Sequence, residues 1–260
     1  MTYQPVLPTG GLLGWRFLER TYGDQRAAYE ASGAVERATD YFREKIGQIT
    51  TAEELVADRR LLETALAAFG LSEDVNSKFF IRKVLADGTS DQDALANRLA
   101  DRRYREFSRA FGFGEPGGPN TTVPGFADRI TARFAERSFE TAVGETSNSL
   151  RLALNARREL QAIAEGSGSE TAKWFTVLGT PPVREVIEGA LGLPKGIGAL
   201  DLDRQLDEFQ RRAEATFGTS TISGLAEEET LSRAIDLYLV RAGNDQGGPT
   251  SPALVLLRGF

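Results

Sequence analysis

Apolar residues recur at spacings of three and four along most of this chain, while the alternation expected of half-buried strands is sparse. After Gly10 and Gly11, Trp15, Leu18 and Tyr22 share one face of a helix expected over residues 13–31, which Gly33 breaks. Val35, Ala38, Phe42 and Ile46 predict a second, ended at Gly47. Thr51 followed by Glu54 is a capping-box pattern, in which the hydroxyl accepts a first-turn amide hydrogen and the carboxylate reaches back. It opens a helix whose Leu55, Leu62, Leu66 and Phe69 form one stripe up to Gly70.

Ser72 then caps a shorter helix carrying Val75, Phe79, Arg82 and Leu85, and Asp87-Gly88 turns the chain. Ala96, Leu99, Arg103, Phe107 and Ala110 share the next face. On its surface Asp101 with Arg105 and Arg102 with Glu106 are expected i,i+4 pairs, each worth ~0.2–0.5 kcal/mol. The Gly/Pro-rich composition of residues 112–125 supports neither helix nor strand and predicts a flexible connection. Residues 126–165 read as one long helix or two meeting near Gly144, with Phe134, Leu150 and Leu154 among the apolar positions. Thr180-Pro181-Pro182 opens a helix burying Val183, Val186, Ile187 and Ala190 as far as Gly192, because proline suits a first turn whose amide hydrogens are unsatisfied anyway. Asp201 caps another with Leu202, Leu206, Phe209 and Ala213 inward, and a last one over residues 225–242 carries Leu231, Ile235 and Tyr238.

Two stretches nearly repeat each other. Ala57-Asp58-Arg59-Arg60 leads to Phe69-Gly70-Leu71, and Ala100-Asp101-Arg102-Arg103 leads to Phe111-Gly112-Phe113. The copies start 43 residues apart, yet the next position in phase, Gly144, begins nothing similar, so no solenoid is implied. The expected fold class is all-α, an irregular multi-helix domain. The alternative is two helical lobes, 1–112 and 126–243, joined by a linker at 113–125, with 244–260 an extended tail.

Composition narrows the chemistry sharply. The chain of 260 residues has no histidine and no cysteine, which removes thiol nucleophiles, Ser-His-Asp triads, Cys or His zinc sites, haem ligation by those residues and disulfides. What remains is carboxylate, lysine, serine-lysine or tyrosine chemistry. A net charge of −6 gives no basic footprint for nucleic acid, and no apolar run approaches membrane-spanning length. The start of the chain lacks the pattern of a cleavable signal, so a protein made in the cytoplasm is expected, with later export by a dedicated apparatus left open. Gly112 to Gly118 lacks the lysine and hydroxyl residue of a phosphate loop, and the acidic pairs lack calcium-loop spacing, so no cofactor and no metal is expected.

The wording of the near-repeat, together with Phe80-Ile81-Arg82-Lys83-Val84-Leu85, Trp174-Phe175-Thr176-Val177-Leu178-Gly179, Pro181-Pro182-Val183-Arg184-Glu185-Val186, Ala190-Leu191-Gly192-Leu193-Pro194 and Leu200-Asp201-Leu202-Asp203, resembles a bacterial family of domains of unknown function, family twelve-seventeen. The resemblance covers most of residues 40–220. It implies a helical alphaproteobacterial protein whose gene tends to sit among flagellar genes, and it implies no activity.

Under that setting the expected role is a flagellum-associated structural or assembly protein, binding flagellar or flagellar-export proteins through helix faces without catalysis. Gly243 to Pro252 stands where an axial flagellar component would carry a long heptad helix, which favours an export chaperone or assembly factor over a secreted component. The alternative is a carboxylate-based hydrolase, requiring two acids that converge in one cleft. Candidate partner-binding residues are Arg59, Arg60, Arg102 and Arg103, whose guanidinium forks suit carboxylates, and Leu254, Leu256 and Leu257 of the apolar tail run. That tail either docks on its own domain or joins another subunit or partner. A helix-surface ion pair, or an arginine tying helix ends together, is the better account of these arginines, and core packing is the expected role of Trp15 and Trp174.

Overall fold

The computed structural model describes residues 3–246. Among the described residues there are fourteen α-helices and no strand. Two units emerge: one built mainly from Tyr22–Ala142, the other from Val6–Thr21 with Val143 onward. Helices α1 (Gly11–Glu30) and α8 (Phe126–Thr146) contribute residues to both.

In the first unit the helices are shorter than apolar periodicity suggests. Gly33 begins α2 (Gly33–Lys45), with Ser32 as its N-cap, and the chain then tightens into a 3-10 turn at Ile46–Gln48. The capping box forms as expected: Glu54 N–H donates to Thr51 Oγ1 at 3.2 Å, and the Thr51 amide donates to Glu54 Oε2 at 3.1 Å. The single helix expected from there to Phe69 is two, α3 (Ala52–Ala57) and α4 (Arg59–Ala68). They part at Asp58, which leaves helical geometry (φ −87°, ψ 103°) because its carboxylate caps the second helix. The second copy behaves alike. Leu99 is extended between α6 (Leu95–Arg98) and α7 (Arg102–Phe111), so the face expected to run from Ala96 to Ala110 is interrupted.

Between the copies lie a 3-10 turn at Ser72–Asn76 and α5 (Lys78–Asp87). The core of this unit gathers Phe42, Leu55, Leu62, Leu66, Phe69, Ile81, Leu85, Phe107, Phe111 and Phe126. Phe69 meets Phe107 edge-on at 5.3 Å, and Phe111 meets Phe126 likewise at 5.2 Å, geometries that place ring edges on ring faces.

Residues 113–125, read from sequence as a linker, lie within this unit and are held there. Glu115 accepts from the Thr89 amide at 2.7 Å and hydroxyl at 2.6 Å and from the Ser90 hydroxyl. Thr121 Oγ1 donates to the Ile49 carbonyl at 2.5 Å. Gly114 lies so close to Gly88 that a Cβ on it would stand 2.3 Å from the Gly88 nitrogen, and Gly88 itself has φ +68°. Only glycine fits both sides of that approach.

The second unit is arranged around α11 (Pro181–Leu191), whose Val183, Val186, Ile187 and Ala190 are all buried. It packs with α9 (Asn148–Glu165) and α14 (Glu228–Gln246). The break between α8 and α9 falls at Ser147, which caps α9 through the Leu150 amide. Trp174, on α10 (Glu170–Leu178), is fully buried beside Phe209 of α12 (Leu202–Phe217), and its Nε1 donates to the Ser220 carbonyl at 2.8 Å. Trp15 is buried too, so both tryptophans are core residues. Leu202 is not: it is 51% exposed, because it opens α12 just after the Asp201 cap, ahead of the turns that pack. The last helix is preceded by a separate short one, α13 (Ile222–Leu225), and α14 runs past Ala242 to Gln246.

Candidate functional site

Each Asp-Arg-Arg motif starts a helix, and the aspartate explains its place. Asp58 Oδ1 accepts from the amides of Arg60 (2.9 Å) and Leu61 (3.0 Å), while Oδ2 accepts from the Tyr41 hydroxyl at 2.6 Å. Burial alone would raise the Asp58 pKa, but the Tyr41 hydroxyl and the two amides outweigh it and hold the carboxyl below its ordinary value. Asp101 accepts from the Arg103 amide at 2.9 Å and is likewise held low, burial again being overcome by Arg103. The expected pairing of Asp101 with Arg105 is replaced by an ion pair to Arg103 at 2.7 Å, since a capping carboxylate faces the first turn.

The four motif arginines do not form one cluster. Arg59 pairs with Glu63 at 2.8 Å and reaches Asn76 at 3.4 Å. Arg60 lies over the Tyr41 ring, 3.7 Å from its centroid, and donates to the Arg37 carbonyl at 3.4 Å. Arg103 serves the opposite end of α4, where it donates to the Gly70 carbonyl. Arg102 is exposed at the start of α7. The ten residues of α4 put about 15 Å between the Arg59-Arg60 and Arg103 ends. Leu254, Leu256 and Leu257 lie outside the described residues.

Arg60 does line a groove of about 570 Å³. Its long walls are α2, through Ala34, Arg37 and Ala38, and α4, through Arg60, Glu63, Thr64 and Ala67. Val75 and Phe134 add apolar surface. The small side chains sit at i, i+4 on α2 and i, i+3 on α4, where larger ones would fill the space between the helices. Its size is that of a ligand or peptide site. Of the residues that the sequence singles out as candidate partner-binding groups, Arg60 lines this groove; Arg37 is not among them, and Ala38 reads only as part of an apolar helix face.

One serine-lysine contact exists in the second unit. Lys173 Nζ lies 2.9 Å from Ser223 Oγ, but it also donates to the Ala164 carbonyl (2.8 Å) and to Glu170 (3.1 Å). Three acceptors use all three hydrogens of an ammonium, and the Ser223 hydroxyl donates to Glu170 rather than to the lysine. Glu170 further accepts the amides of Ile222 and Ser223, so the cluster ties α10 to the start of α13. Burial would raise the Glu170 pKa, yet these donors bring it below the ordinary value.

The other carboxylates with resolved shifts show the same pattern of structural use. Hydrogen bonds from Ser90 and Thr89 lower Glu115, and Arg211 lowers Glu208. Asp236 is raised, by burial that its ion pair with Arg16 does not fully offset. Among the described residues no group of three or more acidic side chains is placed to hold a metal ion, and no helix is long and apolar enough to cross a membrane.

A search of curated proteins finds no match. Among solved structures, the chain is similar to the crystal structure of protein AGR_C_984 from Agrobacterium tumefaciens, with 26% sequence identity and a TM-score of 0.75, covering 94% of this chain and 98% of that one. The family resemblance carried by the Phe-Gly and Trp-Phe segments agrees with a match of residues 68–230 to the family described as protein of unknown function (DUF1217), and the chain belongs to that family.

Proposed function

We propose that the chain is a flagellum-associated structural or assembly protein that works without catalysis, by binding flagellar or flagellar-export proteins through its helix faces. The observation that carries helix-face binding is the groove between α2 and α4, open along two helix walls and lined by both apolar and cationic side chains. The flagellar setting rests on family membership, since genes of this family tend to sit among flagellar genes. Binding is preferred to hydrolysis because Lys173 and Ser223, which lie in contact, and the carboxylates of Asp58 and Glu115 are engaged in helix caps, turns and ion pairs.

The test is a gene deletion scored for swimming, together with a pull-down from motile cells scored for flagellar structural and export proteins. Lost or impaired motility with a flagellar partner is the expected result. Normal swimming with no such partner removes the flagellar role.

A further inference from the structure

We infer that the groove between α2 and α4 receives a short amphipathic helix of a partner protein, with small apolar side chains on its floor and a carboxylate set between Arg37 and Arg60. This rests on the helix-face reading above and names the chemistry of its partner. The argument is one of charge. The Arg37 guanidinium makes no hydrogen bond or ion pair among the described residues, while its backbone carbonyl accepts from Arg60. Arg60 lies over the Tyr41 ring and donates to a carbonyl; it also feels the charge of Asp58, but that carboxylate spends its hydrogen bonds on the Tyr41 hydroxyl and the Arg60 and Leu61 amides and makes none with the guanidinium. The one acid on the groove, Glu63, is taken by Arg59. Two guanidiniums therefore flank the groove with no carboxylate hydrogen-bonded to either, Arg37 having no acidic partner among the described residues, in a chain whose net charge is −6.

The dimensions agree with that occupant. From Arg60 to Ala67 the α4 wall spans eight residues, a rise of about 10 Å or two helical turns. Ala34, Ala38, Thr64 and Ala67 hold the floor low enough for a helix backbone to approach, and the i, i+3, i+4 spacing of both walls matches the anchor spacing of a helix laid along them. A bidentate guanidinium contact to a carboxylate then fixes register, which apolar contact alone leaves loose.

The experiment uses the full chain as bait for a displayed library of random peptides about 15 residues long, near the length at which a helix becomes marginally stable. Peptides enriched in Asp or Glu beside a stripe of small apolar residues are expected. Their binding should weaken about tenfold on Arg37→Glu, a change that breaks no internal contact, and on Ala67→Trp, which fills the groove. Selection against the Arg37→Glu variant should shift the enriched peptides toward basic residues. Peptides that bind wild type and both variants equally, or a failure to select any peptide sensitive to Ala67→Trp, would overturn the proposal. Groove-dependent peptides without acidic residues would overturn the charge assignment alone and leave helix-face binding standing, while motility tests the flagellar setting separately.

Discussion

Arg103, in the first turn of α7, donates a guanidinium hydrogen bond to the carbonyl of Gly70, the residue that closes α4. Gly70 has φ +70°, and the amide of Leu71 returns to the Leu66 carbonyl at 2.9 Å, the closing bond of a left-handed helix terminus. The second copy of the near-repeat thus holds the end of the first. Removing the guanidinium in Arg103→Ala leaves that carbonyl without this donor and Asp101 with only the backbone amide of residue 103. Because the side chain is 49% exposed, the expected loss is only about 1 kcal/mol, read as a lower urea midpoint at unchanged slope.

Gly70→Ala should cost more. The residue would have to keep a positive φ, about 1–2 kcal/mol for an ordinary side chain, and its Cβ would stand 3.0 Å from an Arg137 nitrogen. Thermal unfolding of Gly70→Ala beside Arg103→Ala checks the order; equal losses would contradict the strain argument.

The caps predict an acid limb. Asp58 and Asp101 have pKa values below those of the unfolded chain, so their contribution is fully present above about pH 4 and lost as pH falls toward their folded values. Asp236 has the opposite sign. Its raised pKa means that the folded state binds the proton more readily, so acidification through that range favours folding at this position. Asp58→Ala should lower stability at pH 7 by about 1 kcal/mol and flatten the acid limb, whereas Asp236→Asn should steepen it by removing a group whose protonation favours the fold. Urea titrations between pH 7 and the acid limb measure both.

Trp174 predicts a large core effect. Trp174→Ala removes a fully buried side chain from its place beside Phe209 and leaves the Ser220 carbonyl unpaired, for an expected loss of about 3–5 kcal/mol. Trp174→Phe should cost less while still losing the hydrogen bond. Chemical unfolding followed by the fluorescence of the remaining Trp15 reports each.

Gly114→Ala tests the close approach to Gly88. A Cβ would meet backbone, not a movable side chain, so the loop must shift, costing about 1–3 kcal/mol and raising hydrogen exchange at Thr89, whose amide is bonded to Glu115. Unchanged exchange at Thr89 would show that the approach is not needed.

What could be read from the residues was local. Thr51 with Glu54, the glycines at 70, 112 and 192, and prolines 181 and 182 act within a turn of themselves, and each does in the structure what its chemistry demands. Asp58 was harder, because apolar spacing continues through it from Leu55 to Leu62 and hides a cap inside what reads as one helix. Leu202 misled for a related reason: periodicity assigns a face but not the point at which packing begins. The groove was illegible, since Ala38 and Ala67 matter only through their placement on walls that the fold brings together. Arg59 and Arg60, adjacent in sequence, face different neighbours for the same reason.

The closure of α7 bears on why the motif occurs twice. Where the first copy ends, Arg103 of the second is waiting; where the second ends, Asn120 donates its side-chain amide to the carbonyls of Ala110 (3.0 Å) and Arg109 (3.3 Å). A third Asp-Arg-Arg helix would find that terminus already occupied. The tandem is therefore a closed pair with a built-in stop, and lengthening it by duplication would first require displacing a single asparagine.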